Sequence, residues 1–203
     1  MTGVDDLIVR EYFEMNGFFV RPLRKHNVQS LAKRSDQAMH FVIYSPNFEA
    51  ESREPNPLLF SSELPLIERA LVLVKGRHSP KFSAATRRSS AEIAKFLEKD
   101  ILKHADSLFD LRDEDAKCVE RFFKILVTPG FPTHEPHKAH SIEILDKAGI
   151  DAILSFRSML QDIVSKVKVN YSYQRSNMLQ ILRLLKTYDM IKSSQLELFE
   201  DKK

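Results

Sequence analysis

Cysteine is almost absent from these 203 residues: Cys118 stands alone, so no disulfide can form within the chain, and a reducing compartment is expected. Glycine is nearly as scarce. Its five residues are scattered, which excludes a glycine-rich phosphate cradle, and there is no Gly-x-Ser-x-Gly elbow. No apolar run is long enough to span a bilayer. Asp5, Asp6, Arg10 and Glu11 interrupt the opening residues, so no signal peptide is expected there. The expectation is a soluble, cytoplasmic protein with no membrane partner. Acid is also missing locally. From Arg69 to Ala91 the chain carries Arg69, Lys75, Arg77, Lys81, Arg87 and Arg88 without one Asp or Glu. A second basic stretch holds Arg21, Arg24, Lys25, Lys33 and Arg34, with Asp36 its only acid as far as position 48. Such runs are commonly solvated loops, but two of them flanking strands of one sheet make a surface for phosphates, and DNA is the expected partner.

What is present is a clear order of elements. Ile8, Tyr12 and Met15 recur at helical spacing and predict a helix over 5–16, ended by Gly17. Strands are predicted at Phe18–Leu23, Met39–Tyr44, Arg69–Lys75 and Phe122–Thr128, with a proline-bearing excursion over 46–65. Ser89 and Glu92 have the spacing of a capping box ahead of Ile93, Phe96, Leu97 and Ile101. A helix over about 137–148 closes at Gly149, and a short strand at Ala152–Leu154 leads into a helix from Ser155 to about Lys168. The last helix is expected from about Ser176 to Ile191, burying Met178, Ile181, Leu182, Leu185 and Tyr188. The fold class expected is α/β (α+β), a mixed central sheet flanked by helices, with a C-terminal helical pair. Its divisions are 1–154, 155–193 and a flexible tail, 194–203.

The order helix, strand, strand, then a strand ending in Lys75 and followed by helix resembles the restriction-endonuclease-like superfamily, the PD-(D/E)XK nucleases. The resemblance covers roughly residues 5–130. It implies a site in which carboxylates on the second and third strands hold a divalent metal beside a lysine, assisted by a glutamate on the first helix. Here Lys75 matches the lysine, and Glu11 is a candidate for the glutamate. Leu73 and His40 stand at the expected ligand positions, and leucine cannot ligate magnesium. The resemblance therefore implies a degenerate site without a metal or other cofactor. The alternative is an active nuclease that uses magnesium through displaced ligands such as Asp36, Glu68 or Glu11.

Other candidates are slighter. His134, His137 and His140 are spaced three apart, with Glu135 between the first two, yet the segment is an ordinary proline-rich lead into a helix, and no metal is assigned. Arg175, Arg183, Lys186 and Lys192 surround an apolar helix in the manner of a winged-helix unit, but the hairpin such a unit needs is missing.

Near the C-terminus, Gln195-Leu196-Glu197-Leu198-Phe199 resembles the peptide by which bacterial replication and repair proteins dock on the polymerase sliding clamp. Gln195, Leu196, Leu198 and Phe199 are the expected partner-binding residues, and Arg24, Lys25, Arg77, Lys81, Arg87 and Arg88 the expected DNA-binding ones. The function expected is a DNA-associated accessory protein of replication or repair. The remaining rival is a protein-interaction module without a nucleic-acid role.

Overall fold

A computed structural model describes residues 3–23, 39–48, 53–75, 89–104, 122–132 and 134–191. Helix α1 spans Val4–Met15. Asp6 reaches back to accept the Gly3 N–H at 3.0 Å, and Gly17, at φ 85°, takes the left-handed position that ends the helix. The strands are β1 Phe19–Leu23, β2 Met39–Tyr44, β3 Arg69–Val74, β4 Phe123–Thr128 and β5 Ala152–Ser155. Between β3 and β4, α2 covers Ser90–Phe96, and its chain then passes through a π turn, Leu97–Ile101, and a 3-10 turn, Leu102–His104. Ser89 caps α2 by accepting the Glu92 N–H at 3.4 Å. Helices α3 His137–Lys147, α4 Phe156–Lys166 and α5 Asn177–Thr187 complete the described elements. No helix of the described residues is long and apolar enough to cross a membrane.

The sheet is mixed, in the order β1-β2-β3-β4-β5. β1 and β3 run antiparallel to β2, while β3, β4 and β5 are parallel. The exit of β1, the entry of β2 and the exit of β3 consequently share one end, with Leu23 opposite His40 and Met39 opposite Val74. The expected strand ending at Lys75 stops at Val74, but the Lys75 N–H still donates to the Val127 carbonyl at 3.0 Å. Pro22 lies on β1, beyond which no further described strand pairs, and such an outer strand is where a residue without an N–H is tolerated.

The excursion between β2 and β3 does structural work at the far edge. Its Leu58 bridges Ile153 in parallel, the Leu59 N–H donates to Ile153 at 2.9 Å, and the Ile153 N–H donates to Pro57 at 2.7 Å. The chain thus leaves β2, straps the open side of β5 and returns through a 3-10 turn, Ser61–Leu66, to β3. Buried Glu63 fastens the strap by accepting from the Asn56 side chain and from Arg53 at 3.3 Å.

Strand alternation sends apolar groups to both faces. On one face, Phe41, Ile43, Val72, Ile125 and Leu154 pack under α1 and α4, which supply Tyr12, Phe13, Phe156, Met159 and Ile163. On the other, Leu73, Leu126 and Ile153 meet Ile93, Leu97 and Ile101 together with Ile144 and Leu145 of α3. α1 and α4 are also stapled by polar groups: Lys166 donates to Asn16 at 2.5 Å and to Asp162 at 2.9 Å, and Asn16 donates to Asp162 at 3.1 Å. Burial beside this staple pushes the Tyr12 phenol up, with the Asp162 charge adding to the effect.

α5 departs from its expected packing. Leu179 is buried, and Met178 and Leu182 pack against the first core, but Ile181 is 57% and Tyr188 74% exposed. A helix apolar around most of its circumference fits a core along more than one arc, so periodicity does not choose among them. The arc is chosen by the loop before it, where Lys186 donates to the Val167 carbonyl at 2.8 Å and Tyr173 donates through its N–H to Gln180 at 3.3 Å.

Candidate functional site

The register makes Leu73 and His40 direct cross-strand neighbours at the end of the sheet where β1 and β3 exit. Lys75 follows two residues after Leu73 and, by alternation, shares its side of β3. The surroundings of Leu73 decide what this arrangement can do. Its side chain is 0% exposed and packed among Ile93, Leu97, Ile101, Leu126 and Ile153. That box is built of hydrocarbon side chains, and the half-buried side chain two residues on, Lys75, is a cation. Magnesium needs hard, negatively charged oxygen ligands. Leu73 and Lys75 offer one apolar group and one positive charge, so these residues do not fit the metal that the nuclease resemblance implies. Nearby polar groups serve the backbone instead. The Thr128 hydroxyl donates to the Gly130 carbonyl at 2.8 Å, and Ser155 caps α4 by accepting the Ser158 N–H at 3.0 Å.

The displaced ligands are not brought to this place. Glu68 precedes β3 and therefore sits at its opposite end, seven residues or roughly 23 Å of strand from Lys75. Glu11 lies on α1, which packs on the face opposite to the one Leu73 occupies. There it lines an open groove of about 950 Å³ with Arg10, Glu14, Arg175 and Asn177. Asp36 lies outside the described residues, as do Arg24, Lys25, Arg77, Lys81, Arg87, Arg88, Cys118, Gln195, Leu196, Leu198 and Phe199. His137 and His140 are on the first turn of α3, with exposed His134 before it. Among the described residues, no three His, Cys, Asp or Glu side chains come together in a way that would hold a metal ion.

The structure does place the anchors of the two basic stretches. One leaves the sheet at Leu23, the other at Lys75, and β2, which pairs with both strands, begins between them. The chain therefore leaves β1 ahead of Arg24 and leaves β3 at Lys75 at the same end of the sheet, from the two strands that flank β2, while Arg69 stands at the other end.

A second constellation went unnoticed in the sequence. At the opposite end, Phe19 of β1 faces Tyr44 of β2, Tyr44 faces Arg69 of β3, and the Arg69 guanidinium carbon lies 5.8 Å from the centre of the Phe122 ring just before β4. Direct partners share a face, so these side chains form one row across the sheet. The signal was the pair Phe18-Phe19. In a strand, consecutive residues point to opposite faces, and Phe18 belongs to the first core. No protein-family model matches this chain, and neither a curated protein nor a solved structure matches it.

Proposed function

We propose that this chain is a DNA-associated accessory protein of replication or repair, nuclease-like in its strand order but without metal catalysis, and tethered to a sliding clamp by the peptide Gln195–Phe199. The observation that carries the tether is the way α5 ends. Asp189 takes φ 54°, a left-handed turn that stops the helix after Thr187. The Met190 N–H closes that turn on the Leu185 carbonyl at 2.8 Å. α5 thus ends eight residues before Gln195 in the sequence. A peptide with an amide head and two adjacent apolar anchors suits a groove on a partner. The DNA part of the reading is supported by the shared sheet end at which Leu23, just ahead of Arg24 and Lys25, and Lys75, just ahead of Arg77, leave the sheet.

The test is binding of the purified chain to a bacterial sliding clamp by surface plasmon resonance. Replacing Leu198 and Phe199 together with alanine should abolish binding and leave the thermal midpoint unmoved. A stability loss of about 2–5 kcal/mol, the usual cost of emptying a core position, would instead make the peptide structural and remove the tether.

A further inference from the structure

We propose that the row Phe19–Tyr44–Arg69–Phe122 is a stacking platform for the bases of single-stranded DNA. The proposal rests on the DNA-associated reading and names the form of DNA bound and the residues that bind it. The first ground is exposure. Phe19 is 68% and Tyr44 46% exposed, although helices α2 and α3 cover the β3–β5 part of the same face. Two aromatic rings held side by side on a rigid sheet and left to water are costly unless something covers them.

The second ground is composition. The exposed side chains on the open part of this face are the rings of Phe19 and Tyr44 and the guanidinium groups of Arg21 and Arg69, with the aliphatic Val42 and Leu23 half-buried between and beside them. Val20, between Phe19 and Arg21, packs against the first core, so the exposed Arg21 joins Phe19 on the open side. Arg69 stands between Tyr44 and Phe122 in the same row. Among the described residues the acid paired with it is Glu68, which approaches at 4.0 Å with both side chains about half exposed, a contact too weak to neutralise the guanidinium. A protein partner would be met better by aliphatic surface, whereas rings interleaved with arginine suit bases and phosphates together.

The third ground is spacing. Neighbouring strands are about 4.8 Å apart, so the row spans roughly 14 Å from β1 to β4. Two or three bases, splayed from one strand, fit along that length. Duplex DNA keeps its base faces stacked inside and cannot use such a surface, so the platform selects the single-stranded form.

The experiment is fluorescence anisotropy of a labelled oligothymidylate of about twenty nucleotides, beside a duplex of the same length. Phe19→Leu and Tyr44→Leu keep apolar strand residues at exposed positions but remove the rings. Together they should weaken single-strand binding on the order of a hundredfold, with the salt dependence unchanged because no phosphate contact is lost. Phe19→Tyr, which retains a ring, should bind like the wild type. If the double variant binds the single strand as tightly as the wild type while both bind duplex in a salt-dependent way, the platform is overturned and the DNA-associated reading stands. No wild-type affinity for either form, even at low salt, sinks both. Unchanged DNA binding with an altered oligomeric state in light scattering would assign the row to self-association, which also overturns the proposal.

Discussion

Replacing Leu73 with aspartate is expected to unfold much of the protein rather than to rebuild a metal site. The substitution supplies the carboxylate that the nuclease resemblance would place there, but at a position with no exposed surface inside an apolar cluster. Removing a buried leucine costs about 2–5 kcal/mol through lost burial and the cavity left behind. The carboxylate then adds its own desolvation. Against a total stability of about 5–15 kcal/mol for an ordinary domain, that is a large fraction. The pH dependence has a definite sign. Burial raises the pKa of the new carboxyl in the folded state above its unfolded value, so the folded state holds the proton more tightly. The deficit should therefore be smallest below about pH 4 and grow as the pH rises through the raised value. Leu73→Met, which conserves volume, should cost less than about 1.5 kcal/mol. Denaturant melts of the three proteins across pH measure this directly. Neither the wild type nor the variant should cut DNA with magnesium or manganese. A folded Leu73→Asp protein that cleaves DNA, and stops doing so on Lys75→Ala, would show that the strand end retains a catalytic geometry.

Neutralising Lys75, Arg77, Lys81, Arg87 and Arg88 together should cause the largest loss of function. Each phosphate contact contributes about 0.9 to the slope of log affinity against log salt for duplex DNA, so losing five would flatten it by up to about 4.5. Affinity at moderate salt would fall by orders of magnitude, with little dependence on sequence, because phosphate contacts position a protein without reading bases. Anisotropy titrations over a series of salt concentrations give both quantities. A wild-type slope that the five substitutions leave unaltered would remove this stretch from the DNA surface. The contrast with Phe19 and Tyr44 is informative. Charge loss changes the salt slope, and ring loss should not.

Much of the fold was legible because this chain writes its strands in runs of apolar and β-branched residues. Phe41-Val42-Ile43 and Leu71-Val72-Leu73-Val74 allow little besides strand, and Gly17 and Gly149, at φ 85° and 63°, end helices where the sequence puts them. The strap was not legible. Leu58 opens a run of only three apolar residues, Leu58-Leu59-Phe60, just after Pro55 and Pro57, and its partner Ile153 cannot be inferred from local pattern. The outward arc of α5 was hidden for the opposite reason, an excess of apolar positions that satisfies several packings equally well. At the candidate site, the match of Lys75 and the mismatch of Leu73 could be read letter by letter. What burial makes of Leu73, and the separation of Glu68 and Glu11 from Lys75, depend on which face and which end of the sheet each residue reaches.

The strap has a consequence for the order in which the molecule can be made. Leu58 lies between β2 and β3, yet its bridge is to Ile153, 95 residues later (153 − 58), on the last of the described strands. During translation, β1, β2 and β3 are available for pairing long before β5 leaves the ribosome, so residues 53–60 must wait undocked. Closing so long a loop is among the slow events of folding. Pulse-labelled hydrogen exchange during refolding should show the Leu59 and Ile153 amides gaining protection together, after those of the β2–β3 ladder. Simultaneous protection of all four segments would contradict it. A ribosome pausing before residue 152 would hold a chain whose hairpins are formed and whose fastening is still unmade.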